Sequence, residues 1–281
     1  MNRMAGLLVI TVLLLTNVAH GGDDAARRAL VEKAQKLFRA SRFEEAIEVY
    51  RQVLETAPHD WEANYRIALA YTVLYHPGST DPLDKEYVDK ATAGFEALLQ
   101  MTPPSPEDMD KVRNYYMAVL DSSEQYDKAI EYCRMLLEAQ PNDISTLERL
   151  AVLYYEKQKV FTPAMQVYEK LAELDPKNRE RWFAIGQRYW NRSYVGSKEE
   201  TISIDERQRC IDLGMRAMDE ALRLDQNYLE ALAYYGLLWH ERSQVLQMLG
   251  DTIGADEARA RAEDLKQKVL EVTKRRKSGE E

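Results

Sequence analysis

Apolar and small residues recur along the chain in a fixed frame that predicts the same helix several times. In residues 164–176, an alanine is followed four residues later by an aromatic residue, seven later by a leucine and twelve later by a proline. The first three positions share one face of a helix, which the proline ends. The frame occurs at Ala46, Tyr50, Val53 and Pro58, at Ala91, Phe95, Leu98 and Pro103, at Ala129, Cys133, Leu136 and Pro141, and at Ala164, Tyr168, Leu171 and Pro176. A weaker fifth copy has Gly214, Met218 and Ala221, with Gln226 in place of the proline.

A second amphipathic segment precedes each copy. In the fifth unit this segment has Trp182, Ile185, Gly186 and Tyr189, at positions i, i+3, i+4 and i+7. Related residues occur with the same spacing at Leu147, Leu150, Ala151 and Tyr154 and at Leu232, Tyr235, Gly236 and Trp239. The two segments together resemble the paired helices of the tetratricopeptide repeat, whose period is about 34 residues. The resemblance implies an all-α fold, a right-handed α-solenoid of about six helix pairs with a C-terminal capping helix.

One solenoid domain is expected over residues 22–281, after a signal peptide at 1–21. Its repeat units are expected at about 27–60, 61–105, 110–143, 144–178, 179–228 and 229–276. The fourth unit carries one extra residue near 161–163. Insertions at 76–86 and 191–209 are expected to form loops, which repeat proteins often place on their binding face.

The N-terminal residues predict export. Arg3 precedes an apolar run from Leu7 to Leu15, and small residues at Ala19 and Gly21 form a cleavage signal. The run is far shorter than the 20 or so residues that span a bilayer, so cleavage near Gly21 is favoured over an uncleaved anchor. We therefore expect a periplasmic or secreted protein without stable membrane insertion.

Composition and motifs argue against several functions. The net charge of −9 disfavours nucleic acid as a partner. Gly250 and Gly254 lack the Lys-Ser or Lys-Thr of a phosphate loop, and His240 has Gln244 where a zinc-protease helix needs its second histidine. We expect no catalysis, cofactor or metal, and no disulfide between Cys133 and Cys210.

In tetratricopeptide repeats, the first helices line a concave groove. This resemblance implies a peptide-binding groove lined by Tyr65, Leu69, Asn114, Glu148, Val152, Tyr155, Phe183, Gln187, Trp190, Leu237 and His240, with Arg149 and Tyr234 flanking it. For Tyr65 and Phe183 an alternative role in helix packing is equally expected. Tyr155, Trp190 and His240 are expected to bind, because packing does not need them.

The sequence therefore favours a non-catalytic scaffold that binds a protein or peptide in this groove. One alternative is an envelope assembly factor similar to the pilotins of type IV pili, although the chain lacks their lipid-attachment cysteine. Another is an accessory protein that binds glycan or lipid through Trp190 and the insertion at 191–209.

Overall fold

The computed structural model describes residues 24–279, which form twelve α-helices. The predicted signal peptide at 1–21 lies outside the described residues. The helices are α1 (24–39), α2 (Phe43–Thr56), α3 (Trp61–Leu74), α4 (Pro82–Leu99), α5 (Pro106–Ser122), α6 (Tyr126–Ala139), α7 (Ile144–Val152), α8 (Phe161–Leu174), α9 (Arg179–Lys198), α10 (Ile204–Leu224), α11 (Leu229–Met248) and α12 (Thr252–Ser278). A π-helical turn, Leu153–Lys157, continues α7. The predicted all-α class built from consecutive helix pairs is confirmed.

The described residues divide into two compact units, with the boundary between residues 129 and 130. In the first unit, α1 packs on α2, α2 on α3, α3 on α4 and α4 on α5. In the second, α7 and its π-helical turn pack on α8, each helix from α8 to α12 packs on the next, and α9 also contacts α11. One continuous solenoid over 22–281 stays a prediction.

Each frame proline lies two residues before the N-cap of the next helix. The pairs are Pro58 and Asp60, Pro103 and Ser105, Pro141 and Asp143, and Pro176 and Asn178. Each cap side chain accepts a hydrogen bond from the backbone N–H three residues further on. Because proline disfavours helix just before it and the cap favours helix just after it, one short motif both ends a pair and starts the next.

Every turn within a pair contains one residue in the left-handed region. These residues are Ser41, Gly78, Glu124, Lys159, Glu200 and Gly250, with φ between 54° and 84°. In four of the turns the backbone N–H after this residue donates to the carbonyl five residues earlier, as Arg42 does to Leu37 at 3.0 Å. This arrangement satisfies the last carbonyls of the first helix.

In the turn after α7 the equivalent hydrogen bond spans one residue more. There Val160 N–H donates to the carbonyl of Tyr154, six residues earlier, at 2.9 Å. The extra residue expected near 161–163 is therefore absorbed upstream, in the π-helical turn Leu153–Lys157.

Each insertion forms a loop over only part of the range that the sequence predicts, at 75–81 and at 199–203. Residues 82–86 begin α4, capped by Asp81, so the loop is limited to 75–81. Residues 191–198 continue α9, and 204–209 belong to α10. The apolar periodicity persists through this segment, since Gly196 and Cys210 are buried, and the insertion lengthens both helices of its pair.

Small residues set the distance between helices. Ala46, Ala91 and Ala164 have no exposed surface. At Gly186 a Cβ atom would lie 2.6 Å from Met218 Cε and 3.0 Å from the Gly214 carbonyl oxygen. The two helix backbones of this pair approach as closely as glycine permits.

A polar contact recurs between successive pairs with a separation of 20 residues. Arg51 donates to the Tyr71 hydroxyl at 2.7 Å, and the hydroxyls of Tyr116 and Tyr189 donate to Glu96 at 3.1 Å and Glu169 at 2.7 Å. At the equivalent position, the Arg134 guanidinium lies 5.8 Å from the centroid of the Tyr154 ring. Burial, and then the bond to Glu169, raise the pKa of Tyr189. Each contact joins the second helix of one pair to the first helical segment of the next.

A buried ion pair supports the lengthened helices. Arg207 on α10 and Glu241 on α11 are 5% and 3% exposed, with Arg207 Nη2 2.8 Å from Glu241 Oε2. The same oxygen accepts from Ser193 Oγ on α9 at 3.1 Å, and Arg207 also donates to Gln244 at 2.6 Å. The network joins three helices and satisfies charges that would otherwise be costly to bury.

We predict that Gly186→Ala lowers the free energy of unfolding by about 1–3 kcal/mol, because the added methyl group overfills the contact with α10. The matched control is Gly236→Ala in α11, where a Cβ atom meets its neighbours only at 3.6 Å. That variant should be neutral or stabilising by up to about 1 kcal/mol through helix propensity. Urea denaturation of both variants tests this, and equal losses would contradict it.

We predict that Arg207→Met destabilises the chain by about 3–5 kcal/mol, because it leaves the Glu241 carboxylate buried without its cation. Arg207→Met combined with Glu241→Leu should recover most of that loss. Denaturation of the wild type, the two single variants and the double variant gives the coupling energy. Additive effects of the two substitutions would show that the pair is not coupled.

Candidate functional site

In the first unit, the predicted groove residues have different environments. Tyr65 is 8% exposed, and its ring stacks on Trp61 with a centroid distance of 5.0 Å. Burial raises its pKa. Leu69 is half-buried, and Asn114 is exposed on α5. Of the two roles weighed for Tyr65, its contacts favour helix packing.

In the second unit, four predicted residues meet around one ring. Phe183, Gln187 and Trp190 lie on one face of α9, and Tyr234 of α11 lies among them. The Tyr234 ring is edge-on to Phe183 and Trp190, with centroid distances of 5.5 and 5.1 Å. Gln187 Nε2 donates to the Tyr234 hydroxyl at 2.9 Å. Tyr234, expected to flank the groove, is the centre of this cluster, and all four side chains are half-buried.

Two further aromatic residues extend the cluster. Tyr228 packs against Phe183 with a centroid distance of 5.4 Å, and Tyr194 stacks on Trp190 at 5.0 Å. Tyr194 was not predicted, because residues 191–209 were expected to form a loop. Its position four residues after Trp190 is the signal that could have identified it, since residues four apart share one face of a helix.

The predicted groove residues on α7 are exposed, whereas the one in the π-helical turn is half-buried. Glu148 is exposed and accepts from Arg181 Nη2 at 2.7 Å, while Arg149 and Val152 are exposed. Tyr155 is half-buried, and the Arg188 guanidinium lies 5.0 Å from its ring centroid. Tyr155 therefore packs towards α8 and α9, whereas Val152 remains open.

Leu237 and His240 lie on the exposed side of α11. Leu237 is 41% exposed, and His240 Nε2 lies 3.1 Å from Gln244 Nε2. With Ala262 and Val269 of α12, they line a cavity of about 400 Å³. This surface is mostly apolar, with charged residues of α12 at its edge.

Residues 24–279 contain no group of three or more His, Cys, Asp or Glu side chains placed to hold a metal ion. Burial raises the pKa of Cys210 to about 11, so its thiol is protonated at neutral pH. In the same range, no helix has both the length and the apolar character to cross a membrane.

Profiles of the Tetratricopeptide repeat match residues 31–74 and 146–178. No curated protein matches the chain. The C-terminal part of a TPR repeat-containing protein from Cytophaga hutchinsonii is 16% identical, with 86% of this chain and 78% of that chain covered and a TM-score of 0.47. YrrB, described as a TPR protein with an unusual peptide-binding site, is 18% identical, with coverages of 72% and 88% and a TM-score of 0.37. MamA from Desulfovibrio magneticus RS-1 is 15% identical, with coverages of 86% and 95% and a TM-score of 0.28.

The two profile matches fall on helix pairs of the structure, α1 with α2 and α3, and α7 with α8. The same proline and cap motif continues into the pairs outside the matched segments. The chain contains tetratricopeptide repeats.

Proposed function

We propose that the chain is a non-catalytic scaffold that binds an extended or helical segment of a partner protein. Tetratricopeptide repeats are protein-interaction modules, typically without catalytic activity. The proposed surface, here called the first-helix face, lies on α7, α9 and α11 and carries Val152, the cluster around Tyr234, and Leu237. The observation that carries the proposal is this cluster, in which half-buried rings are held in place by one another and by Gln187.

Rigid aromatic side chains favour peptide binding because they supply contact area at little cost in conformational entropy. The rings of Phe183 and Trp190 are fixed by Tyr234, so little freedom remains for a ligand to remove. Val152 and Leu237, 44% and 41% exposed, offer apolar contacts on the helices either side of α9. The Glu148–Arg181 pair adds both signs of charge, which suits the mixed polarity of a peptide.

We further propose that the chain is exported. The features that support this are Arg3, the apolar run from Leu7 to Leu15 and the small residues Ala19 and Gly21.

When the full sequence is expressed in a bacterium with a periplasm, the mature protein should begin near Gly22 and appear in the periplasmic fraction. Mass spectrometry of the purified N-terminus tests this. A change of Leu13 and Leu14 to Lys should abolish processing, since a charged core disrupts the signal. An unprocessed N-terminus in the cytoplasmic fraction would contradict export.

We predict that a photoreactive amino acid at Val152, Ala233 or Leu237 captures one protein in cells, and that Gln166 on α8 and Arg209 on α10 do not. All five side chains are exposed, so the substitutions leave the core intact. Mass spectrometry identifies the captured segment, which is then synthesised as a peptide.

That peptide should bind the purified chain, with affinity reduced about tenfold or more by Leu237→Glu, because an added charge opposes burial of an apolar contact. Gln166→Glu makes the same kind of change on α8 and serves as the matched control. Equal capture from both faces, or equal loss of affinity in both variants, would show that the first-helix face is not the binding surface.

A further inference from the structure

The fourth and fifth helix pairs differ in length where they meet. Tyr155 and Trp190 occupy equivalent positions in their repeats. The helical segment after Tyr155 ends at Lys157, whereas α9 continues from Trp190 to Lys198. The six additional residues extend α9 by about 9 Å. The last two turns of α9 therefore extend beyond the end of the fourth helix pair, and this difference in length forms a step.

A cleft of about 330 Å³ lies in the corner of this step. One wall comes from the π-helical turn and the start of α8, with the rings of Tyr155 and Phe161. The other comes from the extended part of α9, with Asn191 and Arg192. Both departures from the regular repeat, the extra residue and the lengthened helix, thus form the same cleft. Its volume is in the range of small-ligand sites.

The cleft is held in shape by contacts among its own walls. The Tyr155 ring packs against Phe161 and edge-on against Tyr168, with centroid distances of 6.5 and 6.2 Å. Asn191 Nδ2 donates to the Tyr155 hydroxyl at 3.4 Å. The Arg192 guanidinium lies 5.5 Å from the Phe161 ring centroid. Glu206 accepts two hydrogen bonds from Arg192, at 3.1 and 2.8 Å, which fixes the guanidinium.

The charged groups of the cleft are only partly paired. Its lining contains two carboxylates, Glu156 and Glu199, and two cations, Lys159 and Arg192. Lys159 lies 3.9 Å from Glu156, and Arg192 pairs with Glu206 outside the lining, so the ion pairs of the described residues leave Glu199 unopposed. An anion such as phosphate therefore finds no unopposed cation, whereas the Glu199 carboxylate is left to accept hydrogen bonds from a ligand. Carboxylates, an amide and the Thr201 hydroxyl instead form an array of hydrogen-bond donors and acceptors beside aromatic rings.

We propose that this cleft binds a neutral saccharide of one or two rings. A sugar ring has an apolar C–H face, which stacks on an aromatic ring, and an edge of hydroxyls, which bond to carboxylates and amides. The site shares the insertion at 191–209 with the sequence-based glycan hypothesis, but Tyr155 and Phe161 take the place of Trp190, whose ring is packed between Tyr194 and Tyr234. The saccharide site is independent of the first-helix face and its peptide ligand.

Isothermal titration calorimetry of the full chain with glucose, galactose, N-acetylglucosamine, maltose and chitobiose tests the proposal. At least one should bind with a Kd of about 1 mM or tighter. Glucuronate, the anionic counterpart of glucose, should bind more weakly, because the Glu199 carboxylate in the cleft is unopposed. Phe161→Leu, which removes one stacking ring, and Glu199→Gln, which removes an exposed carboxylate, should each weaken binding about tenfold.

Phe183→Leu is the matched control, because it removes a half-buried ring outside the cleft, and it should leave saccharide binding unchanged. If Phe161→Leu fails to fold, the Glu199→Gln variant tests the proposal alone, because Glu199 is exposed and its substitution leaves the core unchanged. The proposal is overturned if none of the neutral sugars binds, if glucuronate alone binds, or if Phe183→Leu abolishes binding while Glu199→Gln does not. Leu237→Glu should leave saccharide affinity intact, which separates this test from that of the peptide site.

Discussion

The structure depends on how closely its helices can approach one another. At Gly186 an added Cβ atom would lie 3.0 Å from the Gly214 carbonyl oxygen, and at Gly214 it would lie 3.0 Å from Leu238 Cδ2. The methyl groups of Ala46, Ala91 and Ala164 are fully enclosed. A single helix pair cannot cover its own apolar face, so it becomes stable only against a neighbour at this distance. The spacing of small residues along the chain is therefore the feature that the fold requires most strictly.

Close apolar packing alone does not fix how one pair is rotated against the next. The contacts at a separation of 20 residues add that orientation, because a hydrogen bond such as that between Tyr189 and Glu169 is directional. The bond between Tyr189 and Glu169 orients α9 on α8. On α9, Phe183 and Trp190 meet Tyr234 of α11 edge-on, and these half-buried rings pack against the core cluster of the last helix pairs. The proposed binding face therefore shares its aromatic residues with the edge of the core.

The sequence predicts the regular part of the fold well, because each repeat uses the same residue types at the same spacing to form its helices. Small residue, aromatic residue and closing proline are local signals, and the structure confirms the helices they predict. The irregular parts could not be predicted in this way. The extra residue was expected near 161–163, yet the helix absorbs it at Leu153–Lys157, where no residue type signals a π-helical turn. Tyr194 and Arg207 were missed because the family period implied a loop at 191–209, although the helices continue through both residues.

The irregular features of the repeats lie mainly between α7 and α11, and the lengthened helices there depend on a buried ion pair. Lengthening α9 and α10 creates additional helix surface that the regular frame does not supply with small residues. Arg207, Glu241 and Ser193 fill that region. Because both charges are buried, each must keep its ion-pair and hydrogen-bond partners for the structure to be stable. Only with this support can the last turns of α9 stand beyond α8 and form the wall of the cleft. The first-helix face depends instead on ring packing around Tyr234, so the two surfaces rest on different interactions and can change separately.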